Sequence, residues 1–303
     1  MSEEGSIPKG ETGFDRVLAF TIAERNARGR LVRLGPVLDE ILSAHDYPTA
    51  IRHLLAEALA LTALIGSLMK DEDSQLTIQA QTRDGIVDLL VCDYHAGELR
   101  GYVRHDAARL AALEAYPSLK ALFGDGGYLA VTFDLAATGQ RYQGIVPLEG
   151  ESLAEACQSY FTQSEQVPTL IRVGVRWAKG HCVAGGLVVQ HLPDGEEGRE
   201  RLHVRMDHPE WEHVAVMAGS IRDEELADEC LSLEQVLWRL FHDEGEIRVE
   251  TGAQLTRGCR CSVDYYRSVL EKFPEQERVA MRDDDGLVVI DCAFCSKLFK
   301  LEI

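Results

Sequence analysis

Two close pairs of thiols stand near the C-terminal end of the sequence. Cys259-Arg260-Cys261 is followed, thirty residues on, by Cys292-Ala293-Phe294-Cys295. Zinc bonds thiolate sulfurs at about 2.3 Å, so neighbouring sulfurs in a tetrahedral site lie roughly 3.8 Å apart. Each short pair can supply one edge of that tetrahedron. The C-x-x-C half is the common zinc knuckle. The C-x-C half has a tighter bite, and its two sulfurs are easily joined to each other. A disulfide requires sulfurs about 2.05 Å apart, so zinc-bound and oxidised forms exclude one another. The spacing predicts one Zn2+ per chain, held by Cys259, Cys261, Cys292 and Cys295, in a site with two chemical states.

The remaining candidates point to structure rather than chemistry. Cys92 and Cys182 lie in apolar strand patterns and Cys157 in a helical one, as expected of buried, inert thiols. Cys230 follows Glu224, Glu225, Asp228 and Glu229 and is given no redox role. His203, His208 and His213 recur every five residues, which does not gather them on one helical face, and they read as surface histidines. No G-x-S-x-G, phosphate-binding loop or H-E-x-x-H occurs, so no enzyme activity is expected. Gly185-Gly186 falls inside a strand pattern, where a bulge or a close backbone approach explains it better than phosphate binding. The polar run Gln163-Ser164-Glu165-Gln166-Val167-Pro168-Thr169 has no chemical explanation in the sequence.

These thiols need a scaffold. At 303 residues the chain is long for one core and predicts two domains or more. An apolar share of 46% with 27% charged residues is ordinary for a folded chain. No apolar run reaches the eighteen or so residues of a membrane span. Met1 to Thr12 is polar and acidic, unlike a signal peptide, and predicts a disordered tail over 1–13 on a cytoplasmic protein. In that reducing setting thiols are metal-bound or redox-active rather than structural disulfides. The net charge of −19 argues against nucleic acid as a partner. From His191 to Glu250 there are 17 acidic against 6 basic side chains, a net −11 in a fifth of the chain. Such a segment repels itself and is only marginally stable.

The patterning predicts an α+β fold. Phe14 to Ala23 reads as a strand, with a turn around Arg28-Gly29-Arg30 and a second short strand. Pro48 opens a helix that is apolar on nearly all sides from Ile51 to Met69, hence buried on more than one face. Leu76, Ile78 and Ala80 alternate with polar residues, and further strands over Ile86 to Tyr94, Leu99 to His105, Tyr128 to Leu135 and Gln140 to Val146 complete an antiparallel meander. A helix from Leu153 to Gln163 and strands over Arg172 to Trp177 and Cys182 to Gln190 follow, closed by a turn at Pro193-Asp194-Gly195. Beyond it the chain turns to short charged helical pieces. The clearest starts at Ser232, whose S-x-x-Q capping box leads into the stripe Leu233, Val236, Leu237, Leu240 and Phe241. That stripe is either permanent core or a releasable surface docked on the first domain. The last segment, from Gly258, predicts a helix over Val263 to Lys272 and a hairpin of Leu287 to Ile290 with Leu298 to Ile303. It holds few large apolar residues and needs a metal staple, for which structural zinc supplies roughly 10–16 kcal/mol.

The C-x-C, thirty-residue, C-x-x-C pattern resembles that of the bacterial redox-regulated heat-shock chaperones, the 33-kilodalton chaperonin family. Further segments match the same family: Tyr47-Pro48 with Ala56-Glu57-Ala58-Leu59-Ala60-Leu61-Thr62-Ala63-Leu64, Leu99-Arg100-Gly101, Tyr160-Phe161-Thr162-Gln163-Ser164-Glu165-Gln166, and Arg239-Leu240-Phe241-His242. The resemblance covers nearly the whole chain after the first dozen residues. It implies an α+β substrate-binding core (14–193), an acidic metastable helical linker (194–255) and a zinc-binding redox-switch domain (256–303). It also implies an ATP-independent holdase, inactive while reduced and zinc-bound. Oxidation would form Cys259–Cys261 and Cys292–Cys295, release zinc and unfold the linker, exposing a surface for unfolded or partly unfolded client proteins. A homodimer is implied for the oxidised form, with no nucleic-acid or membrane partner. Against this stands a zinc-ribbon protein acting on or binding nucleic acid, which the lack of a basic patch and the C-x-C half-site disfavour.

Overall fold

The computed structural model describes residues 13–178, 180–192 and 208–302. The tail, the Pro193-Asp194-Gly195 turn, the first part of the linker and His203 lie outside these residues.

β1 (Arg16–Ile22) and β2 (Ala27–Leu34) form a hairpin, followed by α1 (Pro36–Leu42) and α2 (Thr49–Gly66). The turn is not at Arg28-Gly29-Arg30 but at Ala23–Arg25, ended by Asn26 in the left-handed region at φ 46°. Gly29 lies within β2 because the Phe20 ring crosses it: a Cβ there would stand 2.1 Å from the ring. Next come β3 (Gln75–Gln81), β4 (Val87–His95), β5 (Glu98–His105), the short helices α3 (Ala107–Leu110) and α4 (Leu119–Phe123), β6 (Tyr128–Leu135) and β7 (Gln140–Pro147). α5 (Leu153–Tyr160) runs into a π-helical turn at Phe161–Glu165, and β8 (Thr169–Ala178) and β9 (His181–His191) end the first half.

The strands build two sheets rather than one meander, with orders β10 (Ile247–Gln254)-β1-β2-β9-β8 and β11 (Thr256–Arg257)-β5-β4-β3-β6-β7. α2 lies between them, with Leu64 against Gly186 of one sheet and Leu55 and Leu59 against Gly101 of the other. Its eighteen residues would suffice by length and composition to cross a membrane, but 72% of them are buried inside this fold. It is the core helix, apolar on nearly all sides, and both sheets cover it.

The opposite face of the first sheet carries the acidic segment. α6 (Pro209–Gly219), α7 (Asp223–Leu226) and α8 (Leu233–Phe241) share a second core with Leu18, Phe20, Ile22, Leu31, Leu187 and Val189. Leu233, Val236, Leu237, Leu240 and Phe241 are all buried there, and Ser232 and Gln235 close the predicted capping box. The segment is not wholly helical. β10 (Ile247–Gln254) adds antiparallel to β1, and β11 (Thr256–Arg257) adds parallel to β5. Together they strap the two sheets and deliver the chain to Cys259. α9 (Val263–Leu270), α10 (Glu275–Ala280) and the hairpin of β12 (Val288–Asp291) with β13 (Leu298–Leu301) complete the chain. The core of this last module is small: Leu270, Val288 and Leu301, with Tyr266 and Ile290 against them.

Candidate metal centre and its docking

The end of the β11 strap places Cys259 and Cys261, and the turn after β12 places Cys292 and Cys295. In that turn the Cys295 and Ser296 N–H groups donate to the Cys292 carbonyl, at 3.2 and 2.8 Å, with Ser296 in the left-handed region at φ 53°. The four sulfurs all lie within 4.8 Å of one another. Cys259 Sγ is 3.2 Å from Cys261 Sγ and 3.6 Å from Cys292 Sγ, and Cys261 Sγ is 3.5 Å from Cys295 Sγ. These separations fall near the edge of a tetrahedral thiolate site and well outside a disulfide. The four residues therefore fit a single metal ion.

Electrostatics around the four thiols is uneven. Burial works to raise the Cys292 thiol, yet the Tyr266 hydroxyl, the N–H groups of Phe294 and Cys295 and the Cys295 side chain outweigh it and bring Cys292 down to about 7. Burial and the neighbouring sulfurs push Cys261 up. Four thiols this close cannot all ionise without a cation among them, which is the charge requirement a divalent metal meets.

The knuckle is docked on the second sheet. Phe294, inside the C-x-x-C turn, stands edge-on to Tyr102 of β5 with centroids 4.9 Å apart, and the Arg100 guanidinium lies 4.1 Å over its ring. Arg100 is itself held by buried Asp93 at 2.6 Å. Ser296 Oγ meets His45 Nδ1 at 3.0 Å, and Arg260 donates to Gln75 Oε1. Tyr47, stacked on His45, accepts the Val103 N–H at 3.0 Å. Sequence spacing gave no sign of these partners, because each joins residues far apart in the chain.

The acidic segment is pinned as well. Arg16 Nη2 donates to both carboxylate oxygens of Glu234, at 2.6 and 2.9 Å. Arg25 bonds Glu210 and, at 2.9 Å, Glu244, which also meets His213 at 2.8 Å. Arg33, fully buried in β2, donates to the carbonyls of Leu226 and Leu231; burial pulls it down to about 10. Gly174 and Gly185 let α7 approach: a Cβ would stand 2.1 Å from the Asp223 carbonyl oxygen or 2.0 Å from that of Leu226. The Gly185-Gly186 pair is thus a close backbone approach on both faces.

Cys92, Cys157 and Cys182 are buried, which raises all three thiols, Cys182 to about 12, while Cys230 is exposed. His208 is not simply a surface residue: it caps α6, and its ring lies 5.0 Å from that of buried His191. Gln163 to Glu165 forms part of the π-helical turn, where Tyr160 donates to Glu165 at 2.6 Å and Gln166 takes the left-handed conformation.

An α+β body with a charged segment folded over one sheet and a four-thiol metal module on the other defines a protein built around a thiol centre. The profile described as Hsp33 protein matches residues 15–302. The chain belongs to the Hsp33 family of heat-shock chaperones. It is 39% identical over 296 residues to the "33 kDa chaperonin" of Caulobacter vibrioides, covering 95% of each chain. It is 31% identical over 281 residues to that of Yersinia pestis, covering 93% of this chain and 90% of the relative. The fold matches the crystal structure of the 33 kDa chaperonin (heat shock protein 33 homolog) of Thermotoga maritima, with a TM-score of 0.75, 22% identity and 95% of each chain covered.

Proposed function

We propose that the chain is a redox-regulated, ATP-independent holdase of the cytoplasm, closed while its four thiolates are reduced and hold Zn2+. The observation that carries this is the route of the chain: the docked acidic helices pass through β10 and β11 directly into Cys259, so the module's fold and the segment's docking share one strand. Zinc, when bound, would hold four sulfurs as thiolates and staple a module whose own core is three buried residues. Peroxide is the oxidant. Each pair of thiolates gives two electrons to one H2O2, forming one S–S bond while the O–O bond breaks and two protons are taken up to yield two waters. With Cys259–Cys261 and Cys292–Cys295 formed, no thiolate donor remains, the module loses its staple and the strap loses its anchor. The released segment from 194 to 255 uncovers apolar surface on the first sheet for unfolded or partly unfolded client proteins. The oxidised form acts as a homodimer in this reading.

The test is aggregation of a thermally unfolded client, followed by light scattering without ATP. Peroxide-treated protein should suppress it, and reduced zinc-loaded protein should not. Equal suppression by both forms, or by neither, would overturn the redox switch.

A further inference from the structure

Resting on that holdase reading, we propose that the β1 edge beneath β10 is a main-chain docking site for extended client segments, and that β10 is its resident stand-in. In the closed chain β1 has β2 on one side and β10 on the other, in register from Ile22↔Ile247 to Leu18↔Thr251. The occupant is held in an unusual way. Seven of the eight residues of β10 are exposed and only Ile247 is half-buried; Val249 alone leaves 45% of its surface in solvent. The edge therefore retains Ile-Arg-Val-Glu-Thr-Gly-Ala-Gln chiefly by its backbone, with none of the eight side chains fully buried. Recognition of that kind takes any extended chain, which is what a binder of many unfolded proteins requires.

The stand-in is also removable. Beyond Leu255, which is buried and donates to the Asp15 carbonyl, β11 is held to β5 by only two residue pairs before Cys259. Loss of the thiolate module frees the strap at that end. Once it peels, Arg16–Ile22 presents a row of unpaired N–H and C=O groups beside Leu18, Phe20 and Ile22, whose side chains the departing helices have uncovered. A β-strand edge flanked by an apolar face fits a hydrophobic, extended polypeptide. It does not select a sequence.

The test uses the full chain and amide hydrogen exchange over residues 16–22, with aggregation of the same thermally unfolded client measured in parallel. Reduced protein should protect these amides. Peroxide treatment should speed exchange of the alternate β1 amides that face β10 at least tenfold, while those facing β2 stay protected, and the client should restore protection. A synthetic Ile247–Gln254 peptide should bind the oxidised form and slow client capture. A scrambled peptide of the same composition should do so equally, whereas one N-methylated at alternate residues should not. Val249→Pro, which loosens β10 without touching β1, should raise exchange over 16–22 in reduced, zinc-loaded protein. The proposal is overturned if oxidised protein suppresses aggregation while the β1 amides that face β10 stay protected without client, or gain no protection with it. An oxidised chain that fails to suppress aggregation at all overturns the holdase reading instead.

Discussion

At the residue scale, the proposed cysteine pairing rests on chain connectivity more than on distance. Crossed pairs lie nearly as close as local ones, with Cys259–Cys292 at 3.6 Å and Cys259–Cys261 at 3.2 Å. As the module loosens, the pairs with one and two intervening residues have the least closure entropy to overcome. Peptide mapping of peroxide-treated protein should therefore find Cys259–Cys261 and Cys292–Cys295, and a majority of Cys261–Cys295 links would contradict it. Arg33 is the second residue on which the account depends. Arg33→Ala should leave the Leu226 and Leu231 carbonyls without their donor, at a cost on the order of 3 kcal/mol. Urea denaturation should show that loss, and reduced protein should gain client-holding activity in the light-scattering assay. Glu57 of α2 supplies a pH signature: burial lifts it to about 7, while the N–H groups of Ala154 and Leu153 bond its carboxylate. Folded protein holds that proton to about pH 7, whereas the unfolded chain releases it near the ordinary value of 4.5. The group therefore removes stability as pH rises between those values. Glu57→Gln should raise the melting temperature at pH 8 and leave it unchanged at pH 4.

At the scale of elements, the docking of the acidic helices is the adjustable part. α8 is only nine residues long, too short to persist without tertiary packing. Leu237→Glu would set an uncompensated charge in the core that α8 shares with Phe20 and Leu31, opposing docking by roughly 3–5 kcal/mol. Gly185→Ala acts from the other side of the contact, since its Cβ would meet the Leu226 carbonyl. Both variants should bind client without oxidation while the thiol module keeps its zinc, read by client light scattering and metal content. What was legible beforehand divides along the same line. α2, the alternation of β3 and the Ser232 capping box are local patterns and appear where the sequence places them. β10 was not legible, because a strand exposed on both faces has no alternation to read, and the two-sheet division was not, because strand pairing is non-local. The thiol cluster was legible as four residues but not as a docked unit. Its grip on the body runs through Arg100, Tyr102 and His45, whose spacing from Phe294 and Ser296 follows no short period.

At the scale of the whole molecule, the two halves of the proposed switch are mechanically in series. The first sheet holds the acidic helices through Arg16, Arg25 and Arg33, the second holds the knuckle through Arg100 and Tyr102, and the strap joins both holds. Residues 208–250, with 12 acidic against 3 basic side chains, a net −9, are thus folded onto arginines of the first sheet and its turn, a balance that the loss of one anchor can tip. If the thiol centre controls this docking, amide hydrogen exchange over residues 233–241 reports it. These amides should be protected in reduced, zinc-loaded protein and lose that protection on peroxide treatment, in step with zinc release and the onset of client holding. Protection of 233–241 that survives oxidation and zinc loss while client holding switches on would contradict it.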